Sequence, residues 1–372
     1  MNDYQICNFC ILDTSDPDIS FDREGICSHC NHWLPRVNKL PKDEATEELN
    51  LKKIASKIRD SSQGKEYDCM IGLSGGVDSS YIVHLAYKLQ LKPLIIHFDN
   101  GWNSELAINN IEKLVKKCNF ELQALVVDWE EFRDLQKAYF EASVIDIEVV
   151  TDHAIIATMF KSARKYNIKY LLSGGNIATE TGMPVSWTWP KKDLKNLKTI
   201  HKRFSKTPLK TYPTRSIWED IFYKRISKGV EDIRILDYVC YSKSKAISLL
   251  ENEYGWKYYG GKHYESVFTK FYQAYILPNK FGIDKRRVHL SSLIRNNEIS
   301  RAEALEEMKK DLYSEIELRE EKEYILKKLG YTDDEFSKIM KKNPIEHIHY
   351  GSDYTNLNLL KKVYRKLKLN KS

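Results

Sequence analysis

The sequence predicts an α/β protein with a doubly wound, mostly parallel sheet. A cysteine-rich segment precedes the sheet and a mostly helical region follows it. Three observations carry this. Short apolar runs without alternation recur between stretches of helical period, as expected for strands buried on both faces. A glycine–serine loop directly follows the first run and opens a helical stretch. Two Cys-x-x-Cys pairs stand ahead of both.

The expected elements follow in chain order. Residues 1–35 hold Cys7, Cys10, Cys27 and Cys30 and form a metal-binding segment. Residues 36–66 are a charged helical connector, with a helix around Glu47 to Ile58. Residues 67–238 are the sheet domain. Its strands are Cys69 to Leu73, Leu94 to Phe98, Leu122 to Val127, Tyr170 to Leu172 and, as a fifth, Ile233 to Leu236. Helical patterns lie between them at Ser80 to Leu89, Glu105 to Cys118 and His153 to Tyr166, which predicts right-handed βαβ units. Residues 239–372 are mostly helical, with charged amphipathic stretches at Arg301 to Leu312 and Ile316 to Leu329.

Composition narrows the class. The charged fraction is 30% and the hydrophobic fraction 42%, with 23 Tyr, 13 Phe and 7 Trp, so the chain can bury a core and is not a disordered polymer. A net charge of +7 suits an anionic ligand. No short segment is basic enough for a nucleic-acid arm, so nucleic acid is not the expected partner. No charged-then-apolar leader and no run of about 18 apolar residues is present, so a cytoplasmic protein without a membrane span is expected.

Ser74-Gly75-Gly76-Val77-Asp78-Ser79-Ser80 carries the chemistry. Two glycines let backbone approach a ligand closely. Hydroxyls at Ser74, Ser79 and Ser80 can donate to phosphate oxygens, and a helix N-terminus adds unpaired N–H groups. A carboxylate at Asp78 would repel phosphate directly, but it suits Mg²⁺ carried by the nucleotide. The Gly-Lys-Ser/Thr of a Walker loop is missing.

The two Cys-x-x-Cys pairs are separated by sixteen residues, a spacing that reads as one tetrahedral Zn²⁺ site. Four protein ligands close the site, so its expected role is structural, with an iron–sulfur cluster as the minority reading. Binding worth about 10–16 kcal/mol would supply the folding energy of so short a segment. Arg23, His29 and His32 are expected to offset the thiolate charge. Cys69 and Cys118 are expected to be buried hydrophobes, whereas Cys240 is left open.

The Ser74–Ser79 run resembles the SGGxDS signature of the PP-loop (N-type) ATP pyrophosphatases, which have an adenine-nucleotide α-hydrolase-like fold and split ATP between its α and β phosphates. The resemblance implies that Ser74, Gly75, Gly76, Val77, Asp78, Ser79 and Ser80 bind ATP. It also places Phe98, Asp99 and Asn100 beside the adenosine, and Gly174, Gly175, Asn176 and Glu180 in the same cleft. Several longer stretches are similar to the N-acetyl sugar amidotransferases: the run from Cys7 through Asp16-Pro17, Phe21 to Cys27, Gly261 to Ser266, and Phe281 to Arg287. That family makes acetamidino sugars, of pseudaminic-acid type among others, for LPS, O-antigen or flagellin glycans. The resemblance implies ATP, Mg²⁺ and Zn²⁺ as cofactors and an acetamido sugar, free or nucleotide-linked, as substrate. It points to Asp78, Lys285, Arg286 and His263 as catalytic candidates and to Lys270 as a further nucleotide ligand. Trp187 and Trp189 are candidates for a sugar-stacking wall. No Gly-x-Cys-x-Gly elbow occurs and Asn2 stands where a class II glutaminase has cysteine, so ammonia is expected from a separate glutaminase subunit. The competing expectation is a tRNA-modifying PP-loop enzyme of thiolase type, which would need reactive cysteines near the loop or a second set of metal-binding cysteines.

Overall fold

The computed structural model describes residues 4–226, 229–261 and 264–355. In chain order the helices are α1 (Ser28–Val37), α2 (Glu44–Ser62), α3 (Val77–Lys88), α4 (Glu105–Cys118), α5 (Trp129–Ala142), α6 (Val149–Lys165), α7 (Leu194–Phe204) and α8 (Ile217–Ile226). They continue with α9 (Lys243–Tyr254), α10 (Val267–Phe271), α11 (Arg286–Arg295), α12 (Arg301–Met308), α13 (Glu315–Leu329) and α14 (Asp333–Lys341). The strands are β1 (Cys69–Gly72), β2 (Pro93–Asp99), β3 (Glu121–Val126), β4 (Tyr170–Leu172) and β5 (Glu231–Ile233).

The strands form one parallel sheet in the order β3-β2-β1-β4-β5. This is the doubly wound parallel sheet the sequence predicts. The order reverses between β1 and β4, so their carboxyl ends flank a topological switch point, where such sheets bind ligands. Met70 and Ile71 of β1 and Leu94 and Ile95 of β2 are fully buried because helices cover both faces. Beside the sheet, α3 packs against α4 and α9.

Two strands depart from expectation. β3 is an edge strand with Val126 exposed, because among the described residues its far side has no strand partner. β5 ends at Ile233, since only the three residues of β4 are there to pair with it. Ile235 and Leu236 reach the core from a 3₁₀ turn, Ile235–Tyr238.

The chain divides into two compact units. The first comprises Met1–Val126, Lys161–Thr188 and Val230–Ile325 and holds the sheet and the cysteine-rich segment. The second comprises Val127–Phe160, Trp189–Gly229 and Leu326–Ser372. Inside the second, α5 packs on α7, and the buried His347 hydrogen-bonds Asn196 while its ring stacks on Trp189. Among the described residues no helix is long and apolar enough to cross a membrane.

Candidate active site and metal centre

Gly72 ends β1, and the chain turns through Ser74, Gly75 and Gly76 into α3. Gly75 has φ +85°, and a Cβ there would stand 2.7 Å from the Ala107 carbonyl oxygen, so only glycine fits. Gly76 caps α3 without a side-chain bond, which leaves its first-turn N–H groups to other partners. The Ser74 and Ser79 hydroxyls lie 3.2 Å apart, and the Gly76 N–H donates to Ser74 Oγ at 3.2 Å. The loop therefore gathers two hydroxyls and helix N-terminal amides around one small volume, the donor set of an anion seat. Ser80, one helical turn in, is fully buried and its hydroxyl has no hydrogen-bond partner among the described residues.

Asp78 accepts a hydrogen bond from the Tyr241 hydroxyl. Burial, with the charges of Asp78, Glu298 and Glu180, pushes that phenol far above its ordinary range, so it stays a donor. The loop after β4 comes close on the other side of the switch point: a Cβ at Gly174 would lie 3.4 Å from Asp78 Cβ. Asn176 is buried and braces its own loop, donating to the Gly174 carbonyl and accepting from the Thr179 N–H. Glu180 is exposed beside Gly175.

At the end of β2, Phe98 and Asp99 are half-buried. Asp99 accepts from the Gly101 N–H and from Asn103, and Asn100 accepts from the Trp102 N–H. His97, which the sequence marks only as part of a strand, joins this strand end to the loop. Its Nδ1–H donates to the Leu73 carbonyl at 2.8 Å, which leaves Nε2 to accept from Asn103.

Three further residues converge from far along the chain. Trp256 Nε1–H donates to the Gly75 carbonyl, the Tyr259 hydroxyl accepts the Val77 N–H at 3.1 Å, and Glu265 accepts from Ser74 Oγ at 3.4 Å. Nothing local in the sequence signals the first two; Glu265 stands only as one letter of a longer matching stretch.

The cationic candidates are placed differently. Lys270 is buried and pairs with Glu317 and Glu321 of α13. Burial alone would lower its pKa, but the two carboxylates outweigh burial and hold the ammonium above its ordinary range. Lys285 lies over the Tyr272 ring. Arg286 forks onto Asp284 and donates to the Glu307, Met308 and Lys310 carbonyls, closing the C-terminal end of α12. None of these contacts joins Lys270, Lys285 or Arg286 to the loop. His263 lies outside the described residues. Trp187 is buried and donates to the Ser15 carbonyl, so it packs rather than lining an open wall. Trp189 belongs to the second unit, stacked on His347.

The four cysteines meet. Their sulfurs lie within 4.8 Å of one another and all four are buried. The Cys10–Cys27 separation of 3.7 Å and the Cys7–Cys30 separation of 4.0 Å are too long for disulfides and match the edge of a tetrahedron with about 2.3 Å metal–sulfur bonds. Backbone N–H groups of Phe9, Cys10, Leu12, Cys27 and Cys30 point at the sulfurs, as suits thiolates. This donor set fits Zn²⁺. The expected counter-charges differ. His29 pairs with Asp16 at 2.7 Å, because that carboxylate is buried beside it, and His32 lies edge-on to Trp33. The nearby cation is Arg295 of α11, whose Nη1 lies 4.0 Å from Cys30 Sγ while Nη2 holds the Thr181 carbonyl. Arg301 of α12 ties down the Cys7 and Cys10 carbonyls, and Arg287 pairs with Asp13.

Of the cysteines outside the cluster, Cys69 and Cys118 are buried and burial pushes both thiols up, Cys118 to about 11. Burial and the Glu47 charge also push the Cys240 thiol up.

A parallel sheet with this loop at its switch point defines an ATP-using PP-loop protein. Residues 66–175 match the asparagine synthase family. Residues 265–367 match the family described as LPS biosynthesis protein WbpG-like, C-terminal domain. The chain therefore carries a PP-loop-superfamily domain and a WbpG-like C-terminal domain, as its motifs imply. No curated protein matches it. Among solved structures it is similar to an NMN synthetase from Francisella tularensis at 16% identity, covering 58% of this chain and 98% of that one, with a TM-score of 0.30. An NH3-dependent NAD synthetase from Campylobacter jejuni aligns at 13% identity, covering 56% of this chain and 93% of that one, also with a TM-score of 0.30. The fold rests on strand order and register.

Proposed function

We propose that this chain is an AMP-forming amidotransferase that converts the N-acetyl group of a sugar into an acetamidino group for LPS, O-antigen or flagellin-glycan biosynthesis. One observation carries the reading. The WbpG-like match begins at Glu265, and Glu265 contacts Ser74 of the pyrophosphate loop, so the two matched regions share one site.

The chemistry suits the site. An amide carbonyl is a poor electrophile without a leaving group. Its oxygen attacks the α-phosphorus of ATP, the bond to the β-phosphate oxygen breaks, and pyrophosphate departs with the electron pair. Ammonia then adds to the imidate carbon, AMP leaves with the former amide oxygen, and loss of a proton gives the amidine. The Ser74 and Ser79 hydroxyls and the first-turn amides of α3 beyond Val77 receive pyrophosphate, in a seat whose backbone is set before the charge develops. Asp78 would hold Mg²⁺, which would neutralise charge on the phosphates. Tyr241 keeps the Asp78 carboxylate in place. Zn²⁺ on the four cysteines would hold the N-terminal segment beside α11 and α12, a structural role. Ammonia comes from a separate glutaminase subunit, since the sequence contains no Gly-x-Cys-x-Gly elbow.

The test supplies ATP, Mg²⁺ and ammonium with a panel of acetamido sugars, free and UDP- or CMP-linked. The expected result is sugar-dependent AMP and pyrophosphate, with a product in which O has become NH. Release with undermodified tRNA and with no sugar would replace this reading by the thiolase type.

A further inference from the structure

The PP-loop presents donors for an anion, yet a carboxylate stands among them. Glu265 Oε1 accepts from the Ser74 hydroxyl and lies 2.9 Å from where a Cβ on Gly76 would be. The neighbouring Tyr259 hydroxyl occupies the Val77 N–H. Pyrophosphate in the same seat would face a like charge within a few ångströms (~4 Å), a separation at which like charges oppose each other even near a protein surface.

The carboxylate has little room to withdraw. The Ser104 N–H donates to the Glu265 carbonyl at 2.9 Å, Asn103 and Ser266 form an antiparallel bridge, and the Val267 N–H donates to the Trp102 carbonyl at 2.9 Å. Upstream, Lys257 and Asn110 exchange two hydrogen bonds, and Trp256 is tied to Gly75. The ties at Glu265, Ser266 and Val267 pin the main chain there, so side-chain torsions are what move its charge. A carboxylate fixed beside a bound pyrophosphate needs a cation between them. ATP brings a hard divalent cation, which takes carboxylate and phosphate oxygens together.

We propose that Glu265 joins Asp78 as a carboxylate ligand of the divalent cation that accompanies pyrophosphate at the PP-loop. This rests on the PP-loop reading above. It makes the first residue of the WbpG-like match a direct participant in nucleotide binding and gives the two matched regions one shared ion.

The test is calorimetric binding of pyrophosphate to the full chain, with Mg²⁺ and again with EDTA, for wild type and Glu265→Gln. With Mg²⁺ the variant binds at least about tenfold more weakly than wild type, because a cation ligand is lost. Without metal it binds more tightly than wild type, because the repulsion is gone. Glu265→Ala gives the same crossing, and matched melting temperatures establish that each variant is folded. Tighter binding in both conditions would make Glu265 a plug that nucleotide expels. Equal or weaker binding in both would make it a packing residue. Either result overturns the proposal. If wild type binds no pyrophosphate in either condition, the PP-loop reading itself fails, which is a distinct outcome.

Discussion

Replacing Arg295 with methionine tests the charge state of the four cysteines. Arg295 is 1% exposed, and among the described residues no carboxylate pairs with it. Its partners are the Thr181 carbonyl and hydroxyl, Ser292 and, at 4.0 Å, Cys30 Sγ. A guanidinium this deep needs negative charge nearby. Four thiolates on Zn²⁺ carry a net charge of about −2 and provide it. Removing one partner of a buried charge pair costs about 3–5 kcal/mol. For a unit of about 250 residues, each kcal/mol lowers the melting temperature by about 2–4 °C, so Arg295→Met should melt about 6–20 °C lower. The assay is a thermal melt at pH 7 with one equivalent of zinc, together with competition for zinc by a chelator, which should strip the variant sooner. A variant as stable as wild type or more so would refute the reasoning, because it would mean that the cysteines are neutral thiols and the arginine is an uncompensated buried charge.

Three other perturbations follow from the same geometry. Gly75→Ala introduces a side chain at φ +85° and 2.7 Å from the Ala107 carbonyl, so the loop must shift, and pyrophosphate affinity measured by calorimetry should fall at least about tenfold, equivalent to about 1.4 kcal/mol. Arg286→Ala removes the fork on Asp284 and the cap on α12, so denaturant titration should show a loss of about 2 kcal/mol, with kcat/KM of the folded fraction within about threefold of wild type; a collapse of kcat/KM without destabilisation would return Arg286 to the phosphates. Burial lowers the His347 pKa to about 4, below its ordinary 6.5, so the unfolded chain binds the proton first on acidification. The stability from its neutral form is complete above about pH 6.5 and declines towards pH 4, by up to about 3 kcal/mol. His347→Gln should flatten that slope in denaturation measured at pH 7 and pH 5.

The fold was legible where local pattern and tertiary role coincide. Cys69 to Leu73 and Leu94 to Phe98 are continuous apolar runs because helices cover both faces of the sheet centre. Glu105–Cys118 shows its period because one face is buried, and its Ser104 cap and left-handed Asn119 mark both ends. The end of β5 was not legible, because the length of β4 sets it, and Ile235 and Leu236 are apolar in a 3₁₀ turn as they would be in a strand. The second compact unit was hidden because the chain enters it three times.

The site divides the same way. The loop from Ser74 to Ser80 and the four cysteines announce themselves by spacing. Tyr241, Trp256, Tyr259 and Arg295 do not, because their partners lie more than a hundred residues away. Lys270 reads as a free cation in sequence, since Glu317 and Glu321, which neutralise it, sit on a later helix.

The central claim is that the amide oxygen is the atom joined to the α-phosphate. The direct measurement uses an acetamido sugar carrying heavy oxygen in its acetyl carbonyl, with ATP, Mg²⁺ and ammonium, and analyses AMP and pyrophosphate by mass. The account predicts the heavy oxygen in AMP, none in pyrophosphate, and an amidine free of label. Heavy oxygen in pyrophosphate, or unlabelled AMP formed alongside the amidine, would contradict it.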